Sequence, residues 1–201
     1  MGLYVCRGMV AAMGNVVVQN ATHEDLMRVP EHCVAEIIDG ALYSMPRPAS
    51  PHASASSRLG VLVGGPFDLG SGGPGGWVIL DEPELHLGSD VIVPDLAGWR
   101  RERMPKVPNV LFFEQSPDWV CEVLSPSTRK VDRSRKVRIY AREGVGHLWF
   151  LDPIAHTLDI YRLAGGQWTI VEMFTDDDVV RAEPFEAIEL NLALLWRDVQ
   201  G

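Results

Sequence analysis

The chain has 201 residues, of which 46% are hydrophobic and 22% charged, with a formal net charge of −9. That balance suits a globular protein with a real core and excludes a disordered chain. No apolar run nears the roughly 18–20 residues that a bilayer span requires, and the overall acidity argues against a protein that coats nucleic acid.

The chain reads as one domain over 1–201, with 1–20 a loosely ordered N-terminal extension. The start is mildly apolar, carries Arg7 and lacks a clear cleavage site for a leader. Cys6, Cys33 and Cys121 form no C-x-x-C pair. An odd number of cysteines opposes a complete disulfide framework and points to a reducing cytoplasm. Between Arg100 and Arg142 there are 11 basic and 5 acidic residues, against 7 and 22 in the rest. One basic segment on an acidic body fits local contact with phosphates or, equally, a solvated helix face.

In chain order, Thr22 to Arg28 reads as a short helix, with Thr22 as N-cap and Asp25 completing a variant capping box. Val34–Ile38 and Ala41–Met45 flank Asp39-Gly40, a hairpin signal. Ser50 to Val63 has helical spacing, and Gly64 to Gly76 reads as loop. That loop lacks the lysine and context of a phosphate-binding loop. Trp77–Leu80 and Val91–Trp99 read as strands, and Arg100 to Phe113 as an irregular loop with a basic start. Trp119–Leu124 is nearly continuous apolar sequence, as at the centre of a doubly covered sheet. A helix runs from Ser125-Pro126-Ser127-Thr128 to about Arg142 and stops at Gly144. His147–Leu151 is a buried strand. Thr157–Leu163 and Trp168–Phe174 flank a second hairpin turn, Asp176 to Asp178 form an acidic turn, and Phe185–Trp196 covers an edge.

Two carboxylates stand in apolar strands: Asp95 after Val91-Ile92-Val93-Pro94, and Glu122 between Cys121 and Val123. A buried carboxylate needs a proton, a cation or hydrogen-bond donors. A hard divalent ion between them satisfies that need through oxygen ligands; an ion pair between Glu122 and a helix cation is the structural alternative. Pro94 belongs at an irregularity, since it cannot donate to a ladder, and this lets Asp95 turn into a cleft. Arg129, Arg133, Lys136 and Tyr140 share a stripe by helical spacing, which suits a lysine at the site and arginines at phosphates. Cys121 reads as a small buried hydrophobe in preference to a nucleophile. His32, His86 and His156 lack zinc-like spacing, and no motif asks for an organic cofactor.

Pro94-Asp95, Glu122-Val123-Leu124-Ser125-Pro126-Ser127-Thr128, Asp132…Lys136…Tyr140 and Leu148-Trp149…Asp152-Pro153 follow one another in order. Glu36-Ile37-Ile38-Asp39-Gly40 and Met45-Pro46-Arg47-Pro48 precede them. This arrangement resembles the Uma-type family of restriction-endonuclease-like proteins, in the PD-(D/E)XK superfamily, from about Thr22 to Trp196. The resemblance implies an α/β fold whose central mixed sheet is flanked by helices, with an N-terminal hairpin. It implies a Mg²⁺- or Mn²⁺-dependent endonuclease acting on DNA, with Asp95, Glu122 and the Val123 backbone carbonyl as metal ligands and Glu36 contributing from the hairpin. The superfamily lysine normally lies two positions after the Glu, where this chain has Leu124; Lys136 matches the place from which a displaced lysine is recruited, with Lys130 second. His52 is a contact to substrate or metal water, or a helix-start residue satisfied by backbone. Arg129, Lys130 and Arg133 complete the candidate substrate contacts. A homodimer would provide two centres for a duplex. The alternative function is a nucleic-acid-binding or regulatory protein that keeps the fold without useful cleavage.

Overall fold

Local signals account for the first elements of the computed structural model, which describes residues 15–126, 128–197 and 199. Thr22 caps helix α1 (His23–Met27): its hydroxyl accepts from Asp25 N at 3.3 Å, while Thr22 N donates to the Asp25 carboxylate at 2.9 Å. Strands β2 (Cys33–Ile38) and β3 (Ala41–Pro46) form the expected hairpin. Its two turn residues have positive φ, Asp39 at 52° and Gly40 at 74°, as the favoured twist of a two-residue turn demands. Of the segment expected to be loosely ordered, 1–14 lie outside the described residues, Cys6 among them. Asn15–Gln19 forms a strand, β1, on the outer side of β3, in keeping with the β-branched run Val16-Val17-Val18.

Helix α2 (Ser50–Phe67) continues through Gly64-Gly65-Pro66, which the sequence marks as loop. Phe67 explains the extension: it is buried and packs on Phe185 with ring centroids 4.7 Å apart. Pro66 falls in the last turn, where it removes only one intrahelical hydrogen bond.

The expected strand Val91–Trp99 is two strands in two sheets. β6 (Asp90–Ile92) pairs with β2 and with β5 (Leu85–Leu87), giving the five-stranded order β1-β3-β2-β6-β5. β7 (Leu96–Arg100) lies between β4 (Trp77–Asp81) and β8 (Trp119–Val123). The ladder lapses at Pro94, and the chain crosses from one sheet to the other at Val93-Pro94-Asp95. β5, three residues between Pro83 and Gly88, is too short to carry a periodic signal.

The second sheet is completed by β9 (His147–Asp152), β10 (Thr157–Ala164) and β11 (Gln167–Thr175), in the order β11-β10-β9-β8-β7-β4. Only β8 and β9 run parallel, so the sheet is mixed. They are joined by a helical crossover: α3 (Arg129–Val131), a π-helical segment (Asp132–Lys136) and α4 (Val137–Arg142). Every residue of β8 is buried. Trp119, Cys121 and Val123 join the core under α2, while Val120 and Leu124 join the core under α4. Glu122, by alternation, faces α4. Cys33 and Cys121 are buried free thiols. Burial, with the charges of Asp95 and Glu122, pushes the Cys121 thiol well above its ordinary range, which leaves it inert.

The chain ends with β12 (Val179–Val180) paired to β13 (Leu190–Asn191), then α5 (Ala193–Trp196). This tail covers α2 and the core beneath it, where a sheet edge was expected, because Leu192, Leu195 and Trp196 join that core. Asp178 accepts from Thr175 N at 3.0 Å, so the acidic turn has a structural use. Among the described residues no helix is long and apolar enough to cross a membrane.

Phe185 lies at the centre of the larger core, with ring centroids 4.9 Å from Trp77, 4.9 Å from Trp119 and 5.5 Å from Trp149. Phe185→Ala should lower the unfolding free energy by about 3–5 kcal/mol in urea titrations, whereas Ile170→Ala, on exposed β11, should leave it within about 0.5 kcal/mol.

Candidate active site

Five elements deliver side chains to one cleft. Glu36 comes from the middle of β2, His52 from the first turn of α2, and Asp95 from the crossing between β6 and β7. Glu122 lies near the end of β8, and Asp132 and Lys136 bound the π-helical segment. All six line a cavity of about 310 Å³.

The polar contacts form one network. Lys136 Nζ lies 2.8 Å from Glu36 Oε1, 3.2 Å from Glu122 Oε2 and 3.3 Å from Asp132 Oδ1. The Tyr140 hydroxyl donates to Glu122 Oε1. Backbone amides also hold Glu36 and Asp95: Val93 N donates to Glu36 Oε1 at 2.9 Å, and Val123 N to Asp95 Oδ2 at 2.7 Å. His52 Nε2 stands 3.2 Å from Asp95 Oδ1. The break at Pro94 thus has a purpose: it frees Val93 N to hold one carboxylate and turns the next residue into the cleft.

Burial raises the free energy of every charge here. Glu122 is pushed well above the usual carboxylate range, by burial first and then by Asp132, Asp95 and Glu36, against the pull of Lys136. Asp132 rises to about 6, again through burial, with Lys136 and Thr128 opposing. Burial pulls Lys136 down, but Glu122, Glu36 and Asp132 together hold it well above its ordinary value, so it stays an ammonium ion. For His52 burial lowers the pKa, and the hydrogen bond and charge of Asp95, the charge of Asp132 and the Val123 carbonyl outweigh it and leave it raised.

The donors suit a hard cation: carboxylates outnumber the one lysine, and Glu36 Oε2 is buried without a hydrogen-bond partner. Among the described residues, however, no three acids, histidines or cysteines converge as ready ligands. Lys136 draws three of the carboxylates to itself. The ion pair that competed with the metal for Glu122 in the sequence is therefore real, and its cation is Lys136.

The structure brings together Glu36, His52, Asp95, Glu122 and Lys136, and places the Val123 backbone beside Asp95. It does not bring in the arginines. Arg129 pairs with Asp152, and Arg133 pairs with Asp159 at 2.5 Å while lying over the Phe150 ring. Lys130 does not line the cavity. The expected stripe fails because positions 132, 136 and 140 face β8, while 129 and 133 face the acids of β9 and β10. Most other cations of the basic segment are similarly engaged: Arg101 with Asp68, Arg103 with Asp118, and Arg142 with Asp90. Asp132 and Tyr140 were missed as site residues, although their four-residue spacing about Lys136 was a usable signal. Ser127 lies outside the described residues.

The family described as "Putative restriction endonuclease", Uma2, matches residues 23–194. The chain belongs to the Uma2 family. Among solved structures, it is similar to one described as "a putative nuclease" from Anabaena variabilis ATCC 29413, with a TM-score of 0.69 and 25% identity over 88% of this chain and 97% of that one. No curated protein matches. The Uma2 assignment accords with the resemblance carried by Pro94-Asp95, Glu122 and Lys136, and with a mixed sheet flanked by helices.

Two measurements test the charge network. Asp132 binds its proton more tightly in the fold than its ordinary value of 3.8 allows. Its contribution to stability is therefore full below that value and is lost as pH rises through about 6. Asn mimics the protonated form at every pH, so the stability of Asp132→Asn relative to wild type should climb between these limits by up to about 3 kcal/mol, read from melting curves across pH. Lys136→Met strands three buried acids and should cost about 3–5 kcal/mol in urea titrations, with Mn²⁺ recovering more stability in the variant than in wild type.

Proposed function

We propose that the chain is a metal-dependent endonuclease that hydrolyses DNA phosphodiester bonds. One observation carries the reading: Glu36, Asp95, Glu122 and Lys136, far apart in sequence, converge on a single cleft. Membership of the Uma2 family and similarity to a structure described as "a putative nuclease" support it.

Asp95, Glu122 and the Val123 carbonyl would hold Mg²⁺ or Mn²⁺, with Glu36 adding a carboxylate. The bound ion supplies a more acidic water and neutralises charge on the phosphoryl oxygens. Lys136, held as an ammonium ion by its three acids, orients the attacking water and offsets the negative charge that develops in the transition state. Tyr140 fixes one oxygen of Glu122 and so aims the other. The site works best once Glu122 and Asp132 have lost their protons, so activity rises with pH. A cut through both strands of a duplex calls for two centres, which a homodimer supplies.

A second reading, a nucleic-acid-binding protein that does not cut, is favoured by the contact of Lys136 with three of the acids. Plasmid nicking separates the two. Purified protein should nick supercoiled DNA in Mn²⁺ or Mg²⁺, EDTA should stop it, and Asp95→Ala or Glu122→Ala should slow it by at least about 10²-fold. Undiminished nicking by Glu122→Ala would overturn the assigned site; duplex binding with no cleavage under either ion would establish the second reading.

A further inference from the structure

The three acids around Lys136 differ in origin. Glu36 and Glu122 come from β2 and β8, strands of different sheets, whereas Asp132 begins the π-helical segment that Lys136 ends. Asp132 and Lys136 share one helical unit, so their contact of 3.3 Å depends on neither sheet. Asp132 is also fixed locally. The Thr128 hydroxyl donates to its carboxylate, and Ser125 Oγ lies 3.0 Å from Thr128 Oγ1. Ser125, Thr128, Asp132 and Lys136 all line the cavity.

The carboxylate oxygens are engaged unequally. Glu36 Oε1 meets Lys136 Nζ at 2.8 Å and Val93 N at 2.9 Å, while Glu36 Oε2 has no partner. Glu122 Oε1 takes the Tyr140 hydroxyl, and Lys136 Nζ lies 3.2 Å from the other oxygen, Oε2. An ion that takes Oε2 stands beside the ammonium, and like charges so close repel strongly in a buried site. Lys136 and an ion therefore compete for Glu122, but not for Asp132. The charge count agrees. Three carboxylates against one ammonium leave two negative charges in excess, the complement of one divalent ion. A purely structural ion pair has no use for that excess, because each further buried charge is costly.

We propose that Asp132 is a positioning residue for Lys136: it keeps the ammonium in the cleft when Glu122 gives Oε2 to a divalent ion. The proposal rests on the nuclease reading for the reaction that Lys136 serves. Asp132 touches neither the ion nor the phosphate and acts only through Lys136. The flexible four-carbon stem of a lysine lets its ammonium leave one carboxylate while it stays with another. Thr128 fixes the carboxylate that retains it. Lys136 thus keeps both its charge and its place, as its role toward the attacking water requires.

The test follows the Lys136 ammonium directly, in full-length protein labelled with ¹⁵N-lysine. The chain has three lysines, Lys106, Lys130 and Lys136, and only an ammonium shielded from water shows its own protons by NMR near neutral pH. Mg²⁺ should shift the wild-type Lys136 signal and leave it visible. Asp132→Leu and Asp132→Asn should both show the signal without metal, when Glu36 and Glu122 hold the ammonium, and lose it in Mg²⁺. Nicking in Mn²⁺ should show kcat lowered about 10²-fold in Asp132→Leu and about tenfold in Asp132→Asn, with KM for DNA little changed. If Asp132→Leu does not fold, Asp132→Asn, with the same shape and no charge, decides. Persistence of the signal in Mg²⁺-loaded Asp132→Asn would overturn the positioning role, and nicking by wild type would leave the nuclease reading standing. Loss of the signal already without Mg²⁺ would mark a merely structural role and overturn the proposal, as would a wild-type signal that Mg²⁺ leaves unchanged. The expected signals with no nicking by wild type would keep the role of Asp132 and remove the nuclease reading.

Discussion

A single ammonium group holds three buried carboxylates in place, and much of the architecture serves that contact. Glu36, Glu122 and Asp132 lie within 3.3 Å of Lys136 or closer, and all four side chains are almost wholly buried. Without the lysine the acids would repel one another in a low-dielectric interior. Without the acids the lysine would lose its charge. The network is stable only when complete, and even then two of its acids remain reluctant to ionise.

The surrounding fold sets the distances. Glu122 sits on a wholly buried strand, and the side chains that reach it are Lys136 from the π-helical segment and Tyr140 from α4. The crossing at Pro94 uses a missing amide to end one ladder and leaves Val93 N free for Glu36. The neighbouring Asp95 then anchors to Val123 N on the adjacent strand. The π-helical segment from Asp132 to Lys136 places both of its ends toward the cleft. Such widened turns are uncommon and concentrate at functional positions. A cation between the acids, in place of or beside the ammonium, fits the same logic, since Glu36 retains an oxygen with no partner.

Much of this was legible before any coordinates. The capping box at Thr22, the Asp-Gly turn and the nearly continuous apolarity of β8 each act within a few residues, and the structure has them where they were expected. Lys136 was selected over Lys130 from its place in the helix, and Lys136 is the one of the two that meets the acids of the cleft. The partners of the arginines were not legible. Arg129 and Arg133 meet Asp152 and Asp159, which lie 23 and 26 residues further on, across a strand crossover. Helical spacing gives the angle between two side chains but not what stands opposite them.

The sequence by itself determined that Asp95 and Glu122 need a counter-charge: acids in apolar strands must find one, and few lysines exist in so lysine-poor a chain. It also determined the hairpins and the central strand, because turn residues and apolar runs act locally. Only the tertiary structure decided that Val91 to Trp99 divides between two sheets and that Asp132 and Tyr140 complete the network. Those outcomes depend on pairings between segments distant along the chain. Burial and Coulomb energies there depend on separation in space, which no spacing along the chain specifies.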